Sequence, residues 1–263
     1  MRVVFVGVGE AFDEGLANTS LFVAGLAGPT GETRRTVFLD CGFTAAAAFF
    51  GCPAIAPADR QDGPDAVWIS HFHGDHFLGL PWLITRLHEQ GRSRPLRVHG
   101  GAGVATKVLA ALDLAYPNLR EKLAFEIVGI EARPGEAFEL AGFAARAELT
   151  GHGAPCLGLR LETRLGALFY GGDGPTTAKG LELASGCSLA VLEAYGLEAG
   201  VPGHGSVPEA VEAAEAAWVE ALAVVHVRRE VRRERGDAIR RGLADASIRA
   251  FMPEPGEVFE TQG

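Results

Sequence analysis

The sequence has no long hydrophobic run. No stretch approaches the roughly 20 consecutive apolar residues that a membrane-spanning helix needs, which predicts that no segment crosses a membrane. The short apolar run Val3–Val6 is followed at once by Gly7, Gly9 and Glu10. We therefore expect this run to be a first strand and not a signal peptide.

Cysteine is scarce, and no two cysteines lie close together in the sequence. The four cysteines, Cys41, Cys52, Cys156 and Cys187, are widely spaced and form no Cys-x-x-Cys pair. This spacing argues against a disulfide framework and against a thiolate zinc site. A reducing cytoplasm is the expected location.

Positive charge is also in short supply. The chain has 24 Lys and Arg against 33 Asp and Glu, a formal net charge of −9. Nucleic-acid binding depends on clustered Lys and Arg that meet phosphates, so this balance disfavours a general affinity for nucleic acid. The basic run Arg228–Arg235 is interpreted as the solvated face of a late helix, although it could attract an anionic substrate.

Linkers, low-complexity stretches and internal repeats are absent from the sequence as well. With 263 residues, 48% of them hydrophobic, the chain can bury a sizeable core without staples. We therefore expect one domain over residues 1–263.

The most informative feature is the segment Ser70–His76, which packs three histidines and an aspartate into seven residues. It follows the apolar run Val67–Ile69, which predicts a buried strand, and precedes an amphipathic pattern over Phe77–Leu87, which predicts a helix. Imidazoles and a carboxylate at one strand-to-helix turn suit zinc, iron and similar cations. The segment therefore predicts a metal site, against the alternative of a polar loop that happens to hold histidines.

The rest of the chain alternates strand and helix patterns. The opening strands Val3–Val8, Ser20–Leu26 and Thr36–Leu39 predict an antiparallel meander, and later strands alternate with helices, which predicts a layered α/β architecture. Three further ligand types, His152, Asp173 and His226, each follow a predicted strand. Loops converge at such strand ends, and the sheet holds them rigidly.

In order along the chain, His71-x-His73-x-Asp75-His76, His152, Asp173 and His226 resemble the ligand series of the metallo-β-lactamase-fold hydrolases. Five shorter segments resemble, within this superfamily, the ribonuclease Z-like and cyclic phosphodiesterase branch. The segments are Gly7-x-Gly9, Asn18-Thr19-Ser20, Leu39-Asp40-Cys41-Gly42, Leu157-Gly158-x-Arg160-x-Glu162 and Leu192-Glu193-Ala194. The resemblance spans roughly residues 3–230. It implies an α/β fold of four layers, αββα, with two mixed sheets between helices.

The resemblance also implies two divalent metal ions, zinc in the first place, with manganese or iron as alternatives. One ion would be bound by His71, His73 and His152, and the second by Asp75, His76 and His226, with Asp173 bridging. A water held between two such ions has its pKa lowered toward neutrality and can supply hydroxide.

The catalytic residues that the resemblance implies are Asp75, which also belongs to the metal set, and His204. His204 lies in Gly203-His204-Gly205-Ser206 and is the candidate general acid or phosphate contact, the alternative being a turn histidine before a helix. His88 and His99 fit no part of the series, and we interpret them as a helix-surface and a strand-end residue.

The chain departs from ribonuclease Z proper in several places. The long arm that grips tRNA lies between the residues that match His152 and Asp173, and only 173 − 152 = 21 positions separate them here. Leu192 replaces the histidine of the tRNA enzymes, and the Ser-x-Arg-Tyr ending after His226 is missing. Together with the net charge, these departures argue against tRNA as a partner and favour a small-molecule ester.

The sequence therefore predicts a dinuclear metal-dependent hydrolase that acts on a small phosphodiester. An arylsulfatase and a lactone or acyl-ester hydrolase of the same fold are the alternatives within this class. An iron-dependent oxygenase and a non-catalytic metal-binding accessory protein stay open from other classes. A homodimer is also left open, with the segment Ala45–Ile55 as its candidate contact.

Overall fold

The computed structural model describes residues 1–27 and 33–261, and in these ranges the chain forms fourteen strands and eight α-helices. The strands are β1 (Arg2–Gly7), β2 (Ser20–Ala27), β3 (Thr33–Leu39), β4 (Ala66–Ile69), β5 (Leu96–Gly100), β6 (Ile127–Glu131), β7 (Ala137–Leu140), β8 (Phe143–Leu149), β9 (Leu157–Thr163), β10 (Gly166–Tyr170), β11 (Leu189–Glu193), β12 (Ala221–Val225), β13 (Arg249–Phe251) and β14 (Val258–Glu260). The helices are α1 (Ala45–Gly51), α2 (Pro57–Asp62), α3 (Gly74–Phe77), α4 (Leu80–Glu89), α5 (Val104–Ala115), α6 (Ala178–Ala184), α7 (Val207–Ala216) and α8 (Arg229–Ala244).

The strands form two seven-stranded mixed sheets. The first has the order β14-β1-β2-β3-β4-β5-β6, and the second has the order β13-β12-β11-β10-β9-β8-β7. In the first sheet the meander β1-β2-β3 is antiparallel, as predicted, and β3 to β6 are parallel. The second sheet likewise joins a parallel set, β10 to β13, to the antiparallel β7 to β10.

Three hydrophobic cores separate the layers. Successive side chains of a strand point to opposite faces, so Val3 and Phe5 pack between the two sheets while Val4 and Val6 pack under the helices of the first sheet. Helices α1, α4 and α5 cover the first sheet, and α6, α7 and α8 cover the second. The result is the four-layer αββα arrangement that the resemblance implied.

The predicted helix over Phe77–Leu87 is two helices, α3 and α4, and the break lies at Gly79. The backbone N–H of Gly79 donates to the carbonyl of Cys41 at 2.8 Å. A β-carbon at Gly79 would lie 2.0 Å from the carbonyl oxygen of Gly42, so only glycine permits this approach. Pro81 then occupies the first turn of α4, where its missing N–H costs nothing.

Most strand predictions agree with the structure, but short edge elements were missed. The sequence patterns did not predict β7, β13, β14, α1 and α2. Strands β13 and β14 have only three residues each. A segment this short cannot show an alternation of apolar and polar residues, so its sequence does not reveal a strand.

Two expectations about surfaces can be compared with the structure. No helix among the described residues is long and apolar enough to cross a membrane. In the proposed dimer segment, Ala45, Ala46, Phe49 and Ile55 are buried in the core between the first sheet and its helices. These side chains are therefore not free to form a contact with a second copy.

Candidate metal centre

The predicted ligands come together at one edge of the two sheets. His71 and His73 follow β4 in the turn before α3, and Asp75 and His76 lie in the first turn of α3. His152 follows β8, Asp173 follows β10 and His226 follows β12, and each of these three joins the same edge. The turn before α3 is short, so four potential ligands enter the site from a single connection.

Two groups of side chains there could each hold a metal ion. The first is His71, His73, His152 and Asp173, and the second is Asp75, His76, Asp173 and His226. Within each group, one potential ligand atom per residue lies within 4.8 Å of all the others. All seven residues of the predicted series are in these groups, and Asp173 belongs to both.

The carboxylate of Asp173 lies between the histidines of the two groups. Its Oδ1 is 3.2 Å from His76 Nε2, and its Oδ2 is 3.5 Å from His226 Nε2 and 3.8 Å from His71 Nε2. Asp173 reaches this position because Gly171 and Gly172 form the turn after β10, and Gly172 has a φ of 63°. One carboxylate therefore faces both groups.

Hydrogen bonds on the outer ring nitrogens orient the histidines. His76 Nδ1 donates to Asp40 Oδ2 at 2.7 Å, and His152 Nδ1 donates to the carbonyl of Gly203 at 2.8 Å. When the outer nitrogen, Nδ1, carries the proton, the inner nitrogen, Nε2, has a lone pair that is free to bind a cation. Both rings are therefore held in the tautomer that can bind a cation.

Asp40 is a buried carboxylate that the metal prediction did not include. Besides His76, its oxygens accept hydrogen bonds from the backbone N–H and hydroxyl of Ser70, both at 2.7 Å, and from the Tyr170 hydroxyl at 2.6 Å. Asp40 directly follows β3 and has a φ of 56°, which turns its side chain into the site. The sequence signal that could have identified Asp40 is its position directly after a predicted strand, the same signal that identified His226. The two residues also share a positive φ, which is 57° for His226.

The charge states of His71 and Asp75 suit cation binding. Burial, and then the neighbouring charge of His76, lower the pKa of His71 to about 2, so its ring is neutral near pH 7. Burial opposes ionisation of Asp75, but the hydrogen bond and charge of His76 outweigh it and lower the pKa of Asp75 to about 2. A neutral imidazole and an ionised carboxylate are the forms that bind metals.

His204 lies beside the two groups and is paired with an acid. Its Nδ1 contacts Glu193 Oε1 at 2.5 Å, and its ring stacks on Tyr195 with a centroid separation of 4.7 Å. The hydrogen bond to Glu193 raises the pKa of His204, although partial burial opposes the shift. The ring centroid of His204 is 5.2 Å from that of His152. The role of Glu193 was not predicted, although the residue ends a fully buried strand, β11.

A cavity of about 320 Å³ opens over the cluster. Its walls include Phe12 and Phe43, which are 71% and 54% exposed, and Glu10, which is held by a 2.8 Å contact with Arg229 Nη1. These two phenylalanines give the entrance an apolar rim. Of the histidines outside the series, His88 lies on α4 and His99 in β5, and neither belongs to the metal-binding groups of the described residues.

The comparison with family models adds a direct match. The model described as the Beta-lactamase superfamily domain matches residues 35–227, which include all seven residues of the two groups. The chain belongs to this superfamily. The resemblance stated from the sequence is therefore confirmed at the level of the family.

Curated relatives of this superfamily member are named Ribonuclease Z. The protein of that name from Methanosarcina mazei is 29% identical over 161 residues, which are 61% of this chain and 48% of the relative. The namesake from Methanosarcina acetivorans is 41% identical over 96 residues, which are 36% of this chain and 30% of the relative. The chain thus spans about half or less of the length of these relatives.

Solved structures of the same fold cover the whole chain. The crystal structure of human tRNase Z, short form, aligns with a TM-score of 0.77 at 19% identity, over 100% of both chains. The Zn²⁺-bound PqqB from Methylobacterium extorquens aligns with a TM-score of 0.71 at 15% identity, over 99% of this chain and 100% of that one. At these identities the alignments show the shared fold.

The expectation that tRNA is an unlikely partner was wrong. It is overturned by the curated relatives named Ribonuclease Z and by the full-length alignment with a tRNase Z structure. The sequence argument rested on one missing arm and on the net charge. These features describe one RNA-gripping segment and an average over the surface, and neither excludes RNA from the metal site itself.

Proposed function

We propose that this superfamily member is a dinuclear metal-dependent hydrolase of phosphodiesters. The observation that carries the proposal is the pair of ligand groups that share Asp173, one with His71, His73 and His152 and the other with Asp75, His76 and His226. Two such groups with a common carboxylate match the need of a hydrolase for two cations close together.

The residues fit divalent metals. The Nε2 atom of His71 is buried and makes no hydrogen bond with any described residue, and the buried Nε2 of His76 faces oxygens of Asp75 and Asp173 at 3.2 Å. A buried polar nitrogen without a partner is costly, and a cation would satisfy both atoms. Imidazole and carboxylate donors suit zinc, with manganese and iron as alternatives, and zinc is bound by the neighbour PqqB. Two divalent cations, when bound, supply Lewis acidity and lower the pKa of a nucleophilic water.

The chain's own residues complete the reaction. Hydrolysis of a phosphodiester leaves an alkoxide or phenoxide oxygen that needs a proton. His204 lies at the cluster, and its hydrogen bond to Glu193 raises its pKa and so favours the protonated ring; it is placed to give that proton or to contact the phosphate. Tyr195 stacks on the His204 ring and fixes its plane. Asp75 acts within the second ligand group, where its ionised carboxylate contributes negative charge.

The names of the curated relatives support a phosphodiester as the bond that is cleaved. The cavity over the cluster, with its apolar rim, is where the scissile diester would bind, whether in a small molecule or at the end of an RNA strand. The proposal concerns the bond and leaves the size of the substrate to experiment.

The test combines metal analysis with turnover of four substrates by the full chain. These are bis(p-nitrophenyl) phosphate, a tRNA precursor with a 3′ extension, an aryl sulfate and a lactone. We expect about two zinc or manganese ions per chain and turnover of at least one phosphodiester. Turnover of the sulfate or the lactone alone would replace the proposed reaction, and one iron per chain without hydrolysis would point to an oxygenase.

A further inference from the structure

A second cavity, of about 460 Å³, lies at the opposite end of the sheets from the metal centre. Asp65 contributes to its wall and immediately precedes β4, whereas His71 follows the end of the same strand. Six residues of extended chain span roughly 20 Å, so the two cavities are well separated. Nothing that binds at the second cavity can touch the metal ligands.

Three arginines line this cavity: Arg35 of β3, Arg94 two residues before β5, and Arg97 of β5. Arg94 is already engaged, because its guanidinium contacts the carboxylate of Asp65 and donates to the carbonyl of Gly63 at 2.7 Å. By contrast, Arg35 and Arg97 form no ion pair and no side-chain hydrogen bond with any described residue. Two uncommitted positive charges therefore face one concave surface.

The strand register explains why these side chains point inward. Arg97 pairs with Ala66, and Ala66 pairs with Val37; both apolar residues lie in the core between the sheets. Arg35 is two residues before Val37 on the same strand and so faces the same side. Arg35 and Arg97 therefore occupy strand positions on the face whose other residues, Val37 and Ala66, are apolar and buried.

His99 forms part of the same wall and is only 2% exposed. Neither of its ring nitrogens has a hydrogen-bond partner among the described residues, and the same holds for Nε1 of the neighbouring Trp68. Both rings stack on Phe138, at 6.1 Å for His99 and 5.7 Å for Trp68. Buried polar nitrogens without partners are rare and costly, which indicates that an additional group belongs beside them.

We propose that this cavity binds a small oxyanion, a phosphate or a carboxylate, held by the guanidinium groups of Arg35 and Arg97 and by the imidazole of His99. The planar guanidinium matches the paired oxygens of both anions. A neutral imidazole offers one N–H donor, and burial together with Arg97 lowers the pKa of His99 to about 4, so the ring is neutral near pH 7.

Glu139 lies on the facing wall, is exposed and forms no ion pair with a described residue. Its charge opposes an anion and limits the affinity. Three arginines against Asp65 and Glu139 still leave the wall net positive, in a chain whose formal net charge is −9. Loss of the Glu139 charge should therefore tighten the binding of an oxyanion.

The test is calorimetric titration of the metal-loaded full chain with inorganic phosphate and, separately, with succinate, a dicarboxylate that chelates divalent cations only weakly. We expect one binding event that does not inhibit turnover, and the stronger of the two probes identifies the anion. In Arg97→Gln and Arg35→Gln this event should weaken by at least about tenfold, because each loses a charge-assisted contact. Glu139→Gln should strengthen it.

The matched control is Arg235→Gln, which removes an exposed arginine of α8 outside the cavity and changes the net charge equally. It should bind as the unchanged chain does. Equal binding by Arg97→Gln, weaker binding by Glu139→Gln, or an anion event that only competes with the substrate would each overturn the proposal. Since turnover is measured in the same samples, loss of the proposed hydrolase activity is seen separately.

Discussion

Asp40 and His76 are both fully buried, and Asp40 Oδ2 accepts a hydrogen bond from His76 Nδ1 at 2.7 Å. Asp40 directly follows β3, and His76 lies in α3, which follows β4. The contact therefore joins the segments that follow two neighbouring strands of the first sheet. The carboxylate fixes the ring from the side away from the cluster. It thereby decides which nitrogen of His76 faces Asp75 and Asp173.

The first prediction concerns this pair. Asp40→Asn keeps the volume but removes the negative charge that holds His76, and we expect the metal affinity to fall by about 10- to 100-fold. Competition with a metal-binding dye measures it. Asp113→Asn, at an exposed aspartate of α5, is the matched control and should leave the affinity unchanged. Unchanged affinity in Asp40→Asn would remove the orienting role.

The second prediction concerns the metal ligands. The double variant His71→Ala, His73→Ala should lose metal and activity together, because it removes two of the three histidines of the first group. Elemental analysis of the purified chain measures the metal. His88→Ala on α4 removes a histidine outside both groups and should retain the full metal content. Stoichiometric metal in the double variant would contradict the ligand assignment.

The third prediction concerns His204. His204→Ala should keep both metals and slow the chemical step by about 10²- to 10⁴-fold if the ring supplies the proton to the leaving oxygen. The loss should be largest for substrates with poor leaving groups, measured as kcat against leaving-group pKa. Equal turnover with such substrates would exclude His204 as the general acid.

The fourth prediction concerns pH. Glu193 raises the pKa of His204, so the protonated form that can donate persists to a higher pH than in an ordinary histidine. Activity that needs this proton is retained below the raised pKa and lost above it. Glu193→Gln should move the alkaline limb of the pH profile to lower pH, whereas Glu212→Gln, at an exposed position of α7, should not. Coincident profiles would contradict the coupling.

The fifth prediction concerns the cysteines, all of which are free and buried. Burial and the charge of Asp173 raise the pKa of Cys156 to about 12, and burial raises that of Cys187 to about 11. Since the thiolate is the reactive form, native protein at pH 7 should show no fast reaction with a thiol reagent. All four thiols should react in denaturant, and rapid labelling of the native chain would contradict the buried positions.

Several parts of the site could be predicted because they depend on short stretches of sequence. The run that becomes β4, the histidine-rich turn and the start of α3 are contiguous, so the chain itself sets their order and spacing. His152, Asp173 and His226 could be named because each follows an apolar strand, and the structure brings them to the same edge. Their function as ligands stays a prediction.

Other parts depend on contacts between distant segments, and no local pattern reports them. Glu193 and His204 are 11 residues apart and meet only because β11 ends beside the turn before α7. The break between α3 and α4 depends on the approach of Gly79 to the carbonyl oxygens of Cys41 and Gly42, a contact across the fold. A strong amphipathic pattern therefore predicted one helix where packing requires two.

Apolar periodicity along the sequence by itself indicated a layered α/β architecture, because that pattern is local. The order of its histidines and aspartates resembled one superfamily, and that resemblance implied the αββα layers and a set of residues for two cations. Only the tertiary structure decided which ring nitrogens face inward, which acid orients each histidine, and that Arg35, Arg97 and His99 share a second cavity. Those relations arise from strand register and burial, which set distances between residues far apart in the sequence.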